Sequence, residues 1–122
     1  MNLNNVAEQF ATEVIVASAA QVANGSNVVN GYATADVVEV ELNVTAASGT
    51  TPTLNVVIET SIDNGATWAL VVAFTAATGA TSELKAFPVS SWADQIRARW
   101  TVGGTTPSFT FSVTAFAKAR VR

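Results

Sequence analysis

A chain of 122 residues with 9 acidic and 6 basic side chains, a net charge of −3 and 12% charged residues makes one domain whose polar surface rests on Thr, Ser and Asn. That length buries about two-thirds of the unfolded surface, enough for a core without staples. It holds no Cys and no His, which removes disulfides, thiolate chemistry, the commonest general base at neutral pH and the commonest transition-metal ligand.

Met1 to Asn5 lacks a basic n-region, and no apolar run approaches the ~20 residues of a membrane span. The expectation is a soluble chain made in the cytoplasm, with no cofactor and no membrane partner. Glu8, Glu13, Asp36, Glu39, Glu41, Glu59, Asp63 and Glu83 all precede the first cation, Lys85. After it come Arg97, Arg99, Lys118, Arg120 and Arg122 against Asp94 alone. The chain is acidic first and basic last, and six cations in an acidic domain are a weak footprint for nucleic acid.

In chain order, residues 1–11 are polar and Asn-rich, an N-terminal arm expected to be ordered by another chain; the domain proper is 12–122. Thr12 to Ala19 is a β-branched run and the first strand. Asn24 to Asn27 turns, Val28-Val29 is a brief strand, and Asn30-Gly31 stops it. Val37 to Thr45 alternates cleanly: Val38, Val40, Leu42 and Val44 face the core, while Glu39 and Glu41 face water or a partner. Ala46 to Pro52 reads as a flexible connection.

Thr53 to Phe74 is the plainest hairpin. Leu54, Val56, Ile58, Thr60 and Ile62 alternate, Asp63-Asn64-Gly65 interrupts, and Trp68, Leu70, Val72 and Phe74 resume on the core side. Ala76 to Thr81 is a loop and Ser82 to Phe87 a strand stopped by Pro88. Val89 to Asp94 is a crossing loop with a 3₁₀ turn pinned by Trp92. Gln95 to Val102 alternates, with Ile96, Ala98, Trp100 and Val102 inward and Arg97 and Arg99 outward. Gly103 to Pro107 turns the chain, and Ser108 to Lys118 is the last long strand, followed by a polar tail.

Seven or eight short alternating strands and no long helical period give the fold class: an all-β antiparallel sandwich, jelly-roll-like because the Cys and Trp landmarks of an immunoglobulin domain are missing. Gly49-Thr50-Thr51-Pro52-Thr53-Leu54 returns as Gly104-Thr105-Thr106-Pro107-Ser108-Phe109. Such a repeat places two equivalent hairpins in the two halves of a sandwich.

Little in the chain looks chemical. Glu39 and Glu41 share one strand face, as solvated pairs do, and no second carboxylate opposes them across a cleft, as a glycosidase requires. Asp63-Asn64 lacks the further oxygen ligands of a Ca²⁺ site. Trp68 and Trp100 fall in phase with core positions, which argues against a sugar-stacking platform built with Tyr32 and Trp92. The expectation is a protein that is not an enzyme and has no metal.

Ser61-Ile62-Asp63-Asn64-Gly65-Ala66-Thr67-Trp68 resembles the S-x-D-x-G-x-T-W Asp-box of sialidases and other β-propellers. The resemblance implies a hairpin turn held by Asp63, Gly65 and Trp68, with a structural role and no catalysis. The segments ETSIDNGATW and IRARWTVGGTTPSFTFSVTAFA, with the Thr-rich loops and Asn-rich arm, resemble the small β-sandwich structural proteins of tailed bacteriophages. That resemblance implies a virion component made in the host cytoplasm: a capsid decoration (cement) protein, with a head-tail or tail protein, or a carbohydrate-binding sandwich, as alternatives. It further implies partners in the major capsid protein or another virion protein, and a homo-oligomer, favoured as a trimer. Glu39 and Glu41 on one strand and Arg97 and Arg99 on another are the expected subunit interface.

Overall fold

The computed structural model describes residues 8–30, 37–88 and 95–120, and all its helix-or-strand elements are strands. They are β1 (Glu8–Gln21), β2 (Gly25–Asn30), β3 (Val37–Ser61), β4 (Ala69–Ala73), β5 (Thr81–Pro88) and β6 (Gln95–Arg120). All pairings between them are antiparallel. The strands β3 and β6 are 25 and 26 residues long, several times the usual strand. They run side by side from Val37↔Lys118 to Ser61↔Gln95.

One ribbon thus serves two sheets. Its outer half, residues 37–48 of β3 with 108–118 of β6, is flanked by β5 and β1, giving the order β1-β6-β3-β5. Its inner half, 53–61 with 95–103, is flanked by β2 and β4, giving β2-β6-β3-β4. The second strand order repeats the first around the same central pair, so six continuous strands make eight segments wound as a jelly roll.

The sequence alternation chooses which faces meet. Val38, Val40, Leu42, Val44, Phe109, Phe111, Val113 and Ala115 point in from the first sheet, and Leu54, Val56, Ile58, Ile96, Ala98 and Trp100 from the second, all buried. Trp100 meets Phe111 edge-on across the gap, centroids 5.5 Å apart, an arrangement that adds about 0.5–1.5 kcal/mol beyond area burial. Ile15 and Val16 are both buried although adjacent, because the β1–β6 register slips between Val14 and Val16. A bulge there turns two neighbours to the same side.

The ribbon folds over at the repeated phrase. Ala46 to Pro52 is not a flexible connection and Gly103 to Pro107 is not a turn: both are strand, and they pair with each other through Ser48↔Ser108, Thr50↔Thr105 and Thr53↔Gly103, with register shifts on both sides of Thr50. The two copies match in detail. Gly49 and Gly104 have φ of 113° and 111°, and Thr51 and Thr106 both have φ of 46°. The Thr51 hydroxyl donates to the Thr50 carbonyl at 2.8 Å and the Thr106 hydroxyl to the Thr105 carbonyl at 2.8 Å. A local two-fold axis therefore passes between them, and the repeat marks one corner built twice rather than two hairpins. Glycine is required there because a Cβ on Gly49 would lie 2.8 Å from the Thr106 oxygen, and one on Gly104 2.8 Å from the Thr51 oxygen.

Several expectations move. β1 begins at Glu8, inside the stretch read as an arm, and Glu8 to Ala11 pair with Ala117 to Arg120; Met1 to Ala7, Tyr32, the Trp92 crossing loop and the last two residues lie outside the described residues. The hairpin is present, but its return strand is not in simple phase with the core. The register slips between Ile58↔Val72 and Glu59↔Leu70, so Leu70 faces out at 62% exposure while Val71 and Val72 both pack against the core. Ile62, at 79%, has left the sheet for the turn.

Candidate functional site

The turn that ends the β3–β4 hairpin is organised by one hydroxyl and one carboxylate. Ser61 is 1% exposed; its hydroxyl donates to Asp63 Oδ1 at 2.7 Å and accepts the amides of Asp63 (3.3 Å) and Gly65 (2.8 Å). Asp63 accepts the Thr67 amide on Oδ1 at 2.9 Å and the Thr67 hydroxyl on Oδ2 at 2.5 Å. Asn64 and Gly65 carry positive φ, 59° and 91°, which an Asx-type turn followed by glycine accommodates. The Thr67 and Ser61 donors hold the Asp63 carboxyl down to about 2. Both of its oxygens are engaged inside the turn, so Asp63 and Gly65 act as fasteners.

Trp68 is not a core residue. It is half-buried on the outer face, with the Arg97 guanidinium 4.3 Å over its ring centroid, a cation–π contact worth about 0.5–1 kcal/mol where solvent reaches it. Arg97 is held from its other side by Glu59. Arg97 Nε donates to Glu59 Oε1 at 2.8 Å, Arg99 Nε to the same oxygen at 3.0 Å, and Arg99 Nη2 to Oε2 at 3.4 Å. Burial raises the Glu59 carboxyl, and the hydrogen bonds and charges of Arg99 and Arg97 outweigh it, leaving the group below its ordinary value.

Glu59 has no evident role in the sequence, where it is one acid among nine. Its signal was phase: pairing the hairpin's first strand with Gln95 to Val102 sets Glu59 opposite Arg97 and diagonal to Arg99. The expected quartet does not form within one chain. Arg97 and Arg99 lie on the outer face of the second sheet with Glu59, whereas Glu39 and Glu41 lie on the outer face of the first, opposite Phe116 and Thr114 of β6 and Ala86 and Leu84 of β5.

Two hollows are lined by described residues alone. A shallow hollow beside Arg99 is lined by Asn24, Gly25, Ser26 and Thr101. Another is lined by Thr75, Ala76, Thr81, Ser82 and Glu83, whose carboxylate accepts the Thr75 amide at 2.7 Å. Among the described residues no three His, Cys, Asp or Glu side chains converge as metal ligands do. Large apolar groups stand exposed instead: Val14, Leu84 and Phe116 on the first face (57, 54 and 39%) and Val28 and Leu70 on the second (47 and 62%).

No known family profile matches the chain, and neither does any curated protein. Solved structures share the fold. The exported protein XepA of PBSX superposes with a TM-score of 0.58 at 16% identity over 98% of this chain and 39% of its own. The VP2 subviral particle of infectious bursal disease virus gives 0.55 at 10% identity over 93% of this chain and 33% of VP2. The Bacillus endospore appendages, disulfide-linked pili, give 0.55 at 11% identity over 97% and 94%. The chain thus spans about a third to two-fifths of the XepA and VP2 chains and nearly all of the appendage subunit. At these identities the likeness is one of fold alone: an all-β sandwich.

Proposed function

We propose that this chain is a non-enzymatic virion structural protein, a capsid decoration (cement) protein of a tailed bacteriophage that seats on the major capsid protein as a homo-oligomer, with a trimer as the favoured form. The observation that carries the reading is the make-up of the two outer faces. Each bears charges on its central strands and large exposed apolar side chains on the strands that flank them, which is the composition of a contact surface rather than of a pocket. The phage-like segments ETSIDNGATW and IRARWTVGGTTPSFTFSVTAFA support it, as does a fold shared with proteins that form particles and pili. The appendage subunits' disulfide linkage does not transfer, since this chain has no Cys.

Mass spectrometry of purified particles, paired with electron microscopy of their heads, tests the reading. The expected result is this chain in virions at a copy number commensurate with the capsid lattice, and density on the outside of the head. Density at the neck or tail would reassign it to a head-tail or tail protein. Absence from particles, with retention on a glycan array, would overturn the proposal in favour of a carbohydrate-binding sandwich.

A further inference from the structure

We propose that the two outer faces are the halves of one homotypic contact: the outer face of the first sheet in one copy seats on the outer face of the second sheet in another. This deepens the self-association in the reading above and rests on it only there. Over their described side chains, the two faces have the same layout with opposite charge. Across the first runs Val14 (β1), Thr114 (β6), Glu41 (β3) and Leu84 (β5); across the second runs Val28 (β2), Arg97 (β6), Glu59 (β3) and Leu70 (β4).

Each row puts exposed aliphatic side chains about 14 Å apart, three strand spacings, with charge between them. Along the strands, Glu39 and Glu41 stand two residues apart, as do Arg97 and Arg99, roughly 6.6 Å in each case. Two guanidiniums share one carboxylate at Glu59, so the second face keeps one net positive charge, and the Arg99 side chain is 45% exposed. Among the described side chains, the first face presents Glu39 and Glu41 and no cation.

The charges also decide the pairing. Two first faces stacked on each other would bring four carboxylates together, so a symmetric pair through that face is disfavoured, whereas first on second is attractive. Such a contact is heterologous and repeats into a ring or an open row. Four strands by six residues is about 400 Å² per face, or ~800 Å² in all, below the range of stable standard interfaces. The contact is therefore weak in isolation and gains strength where copies are held side by side.

Complementary surface variants test this in solution, with no particle present. Glu41→Arg/Leu84→Arg spoils the first face, and Val28→Glu/Leu70→Glu spoils the second without touching Glu59, Arg97 or Arg99. All four side chains point outward, and unchanged melting temperatures verify the fold. In sedimentation velocity the wild type should grow with concentration and shrink with salt, each variant should stay monomeric, and an equal mixture should form a two-chain species and nothing larger. Glu41 over Arg97 sets Leu84 over Val28, and because the chain has no Cys, oxidation of mixed Val28→Cys and Leu84→Cys proteins should give a cross-linked pair that neither gives alone. A monomeric wild type, a monomeric mixture, or cross-linking of Val28→Cys with itself overturns the contact. A monomer that still decorates capsids leaves the virion reading standing and removes only this interface.

Discussion

The corner where the ribbon folds over makes the most demanding prediction, because its cost can be worked from two independent terms. Alanine at Gly49 or Gly104 must adopt φ near 113° or 111°, beyond the left-handed basin, at a strain of about 1–3 kcal/mol. Its Cβ must also sit 2.8–2.9 Å from the backbone oxygens of Thr106 and Thr105, or of Thr51 and Thr50. Those atoms belong to the opposite strand and cannot rotate away, so overpacking adds about 1–3 kcal/mol. The sum, on the order of 2–6 kcal/mol, is a large share of a typical total stability of ~5–15 kcal/mol. At roughly 4 °C per kcal/mol for a chain of this size, each single variant should melt about 10–20 °C below wild type. Gly79→Ala is the control, since nothing lies within 4 Å of its Cβ position. The two-fold axis adds a sharper demand: both singles should cost the same within ~1 kcal/mol, and the double variant should cost less than their sum, because movement of one strand relieves both sites. Thermal unfolding by circular dichroism reads all of this. Either single melting with Gly79→Ala, or two singles differing by more than ~2 kcal/mol, would refute the symmetric corner.

Four further outcomes follow from the outer faces and the turn. Glu59→Gln leaves two guanidiniums side by side without their carboxylate and should lower stability by about 1–2 kcal/mol, discounted for the exposure of Arg99; a denaturation midpoint that does not move would count against the cluster. Asp63, Glu59 and Glu83 are all held below their ordinary values of 3.8, 4.5 and 4.5. Their stabilisation is complete above those values and fades as pH falls through the folded-state values, about 2 for Asp63. The melting temperature should therefore drop on acidification below pH 4.5, less steeply in Asp63→Asn, and a flat profile would contradict the fastened turn. Gly65→Val places a β-branched residue at φ 91° and should cost on the order of 1–3 kcal/mol, whereas an unchanged melting temperature would release the turn from its structural role. Removal of residues 1–7, which precede β1, should leave the melting temperature and the contact between copies nearly unchanged and abolish seating on the particle; normal seating of the truncated chain would end the idea of a partner-ordered arm.

Where one residue in two is buried, the pattern was legible. Val38 to Val44, Leu54 to Ile58 and Ile96 to Trp100 read as strands with the correct face inward, because period-two burial is set by the pleat alone. Reading failed where the period breaks. Ile15-Val16 and Val71-Val72 are adjacent apolar pairs straddling register slips, and nothing local tells a bulge from a strand buried on both faces. Gly-Thr-Thr-Pro is chemically a turn, and in isolation it would be one. Here it is held extended by a second copy of itself 55 positions along the chain, a contact visible only once the two strands are known to pair. Residues 61–67 were legible as a turn, because its partners lie within six positions of one another, but the parts played by Ser61 and Thr67 were not. Glu59 was not, because its partners lie 38 and 40 residues away.

That division also explains where function can sit. A ribbon folded on a two-fold corner spends its inward residues on one core and closes the corner with backbone packed on backbone, at Gly49 and Gly104, leaving no room for a ligand. The hairpin turn is equally closed, since Ser61, Asp63 and Thr67 satisfy one another. What stays free is the outward half of each alternating strand, where the chain keeps charges it otherwise uses sparingly beside aliphatic groups a solitary domain has no reason to expose. On the first face Glu39 and Glu41 have Val14, Leu84 and Phe116 beside them; on the second Arg97 and Arg99 have Val28 and Leu70. A charge flanked by leucine and valine is poorly placed for hydration and well placed for a partner that brings the opposite charge and a matching apolar rim. Among the described residues, the contact proposed between copies rests on these two faces.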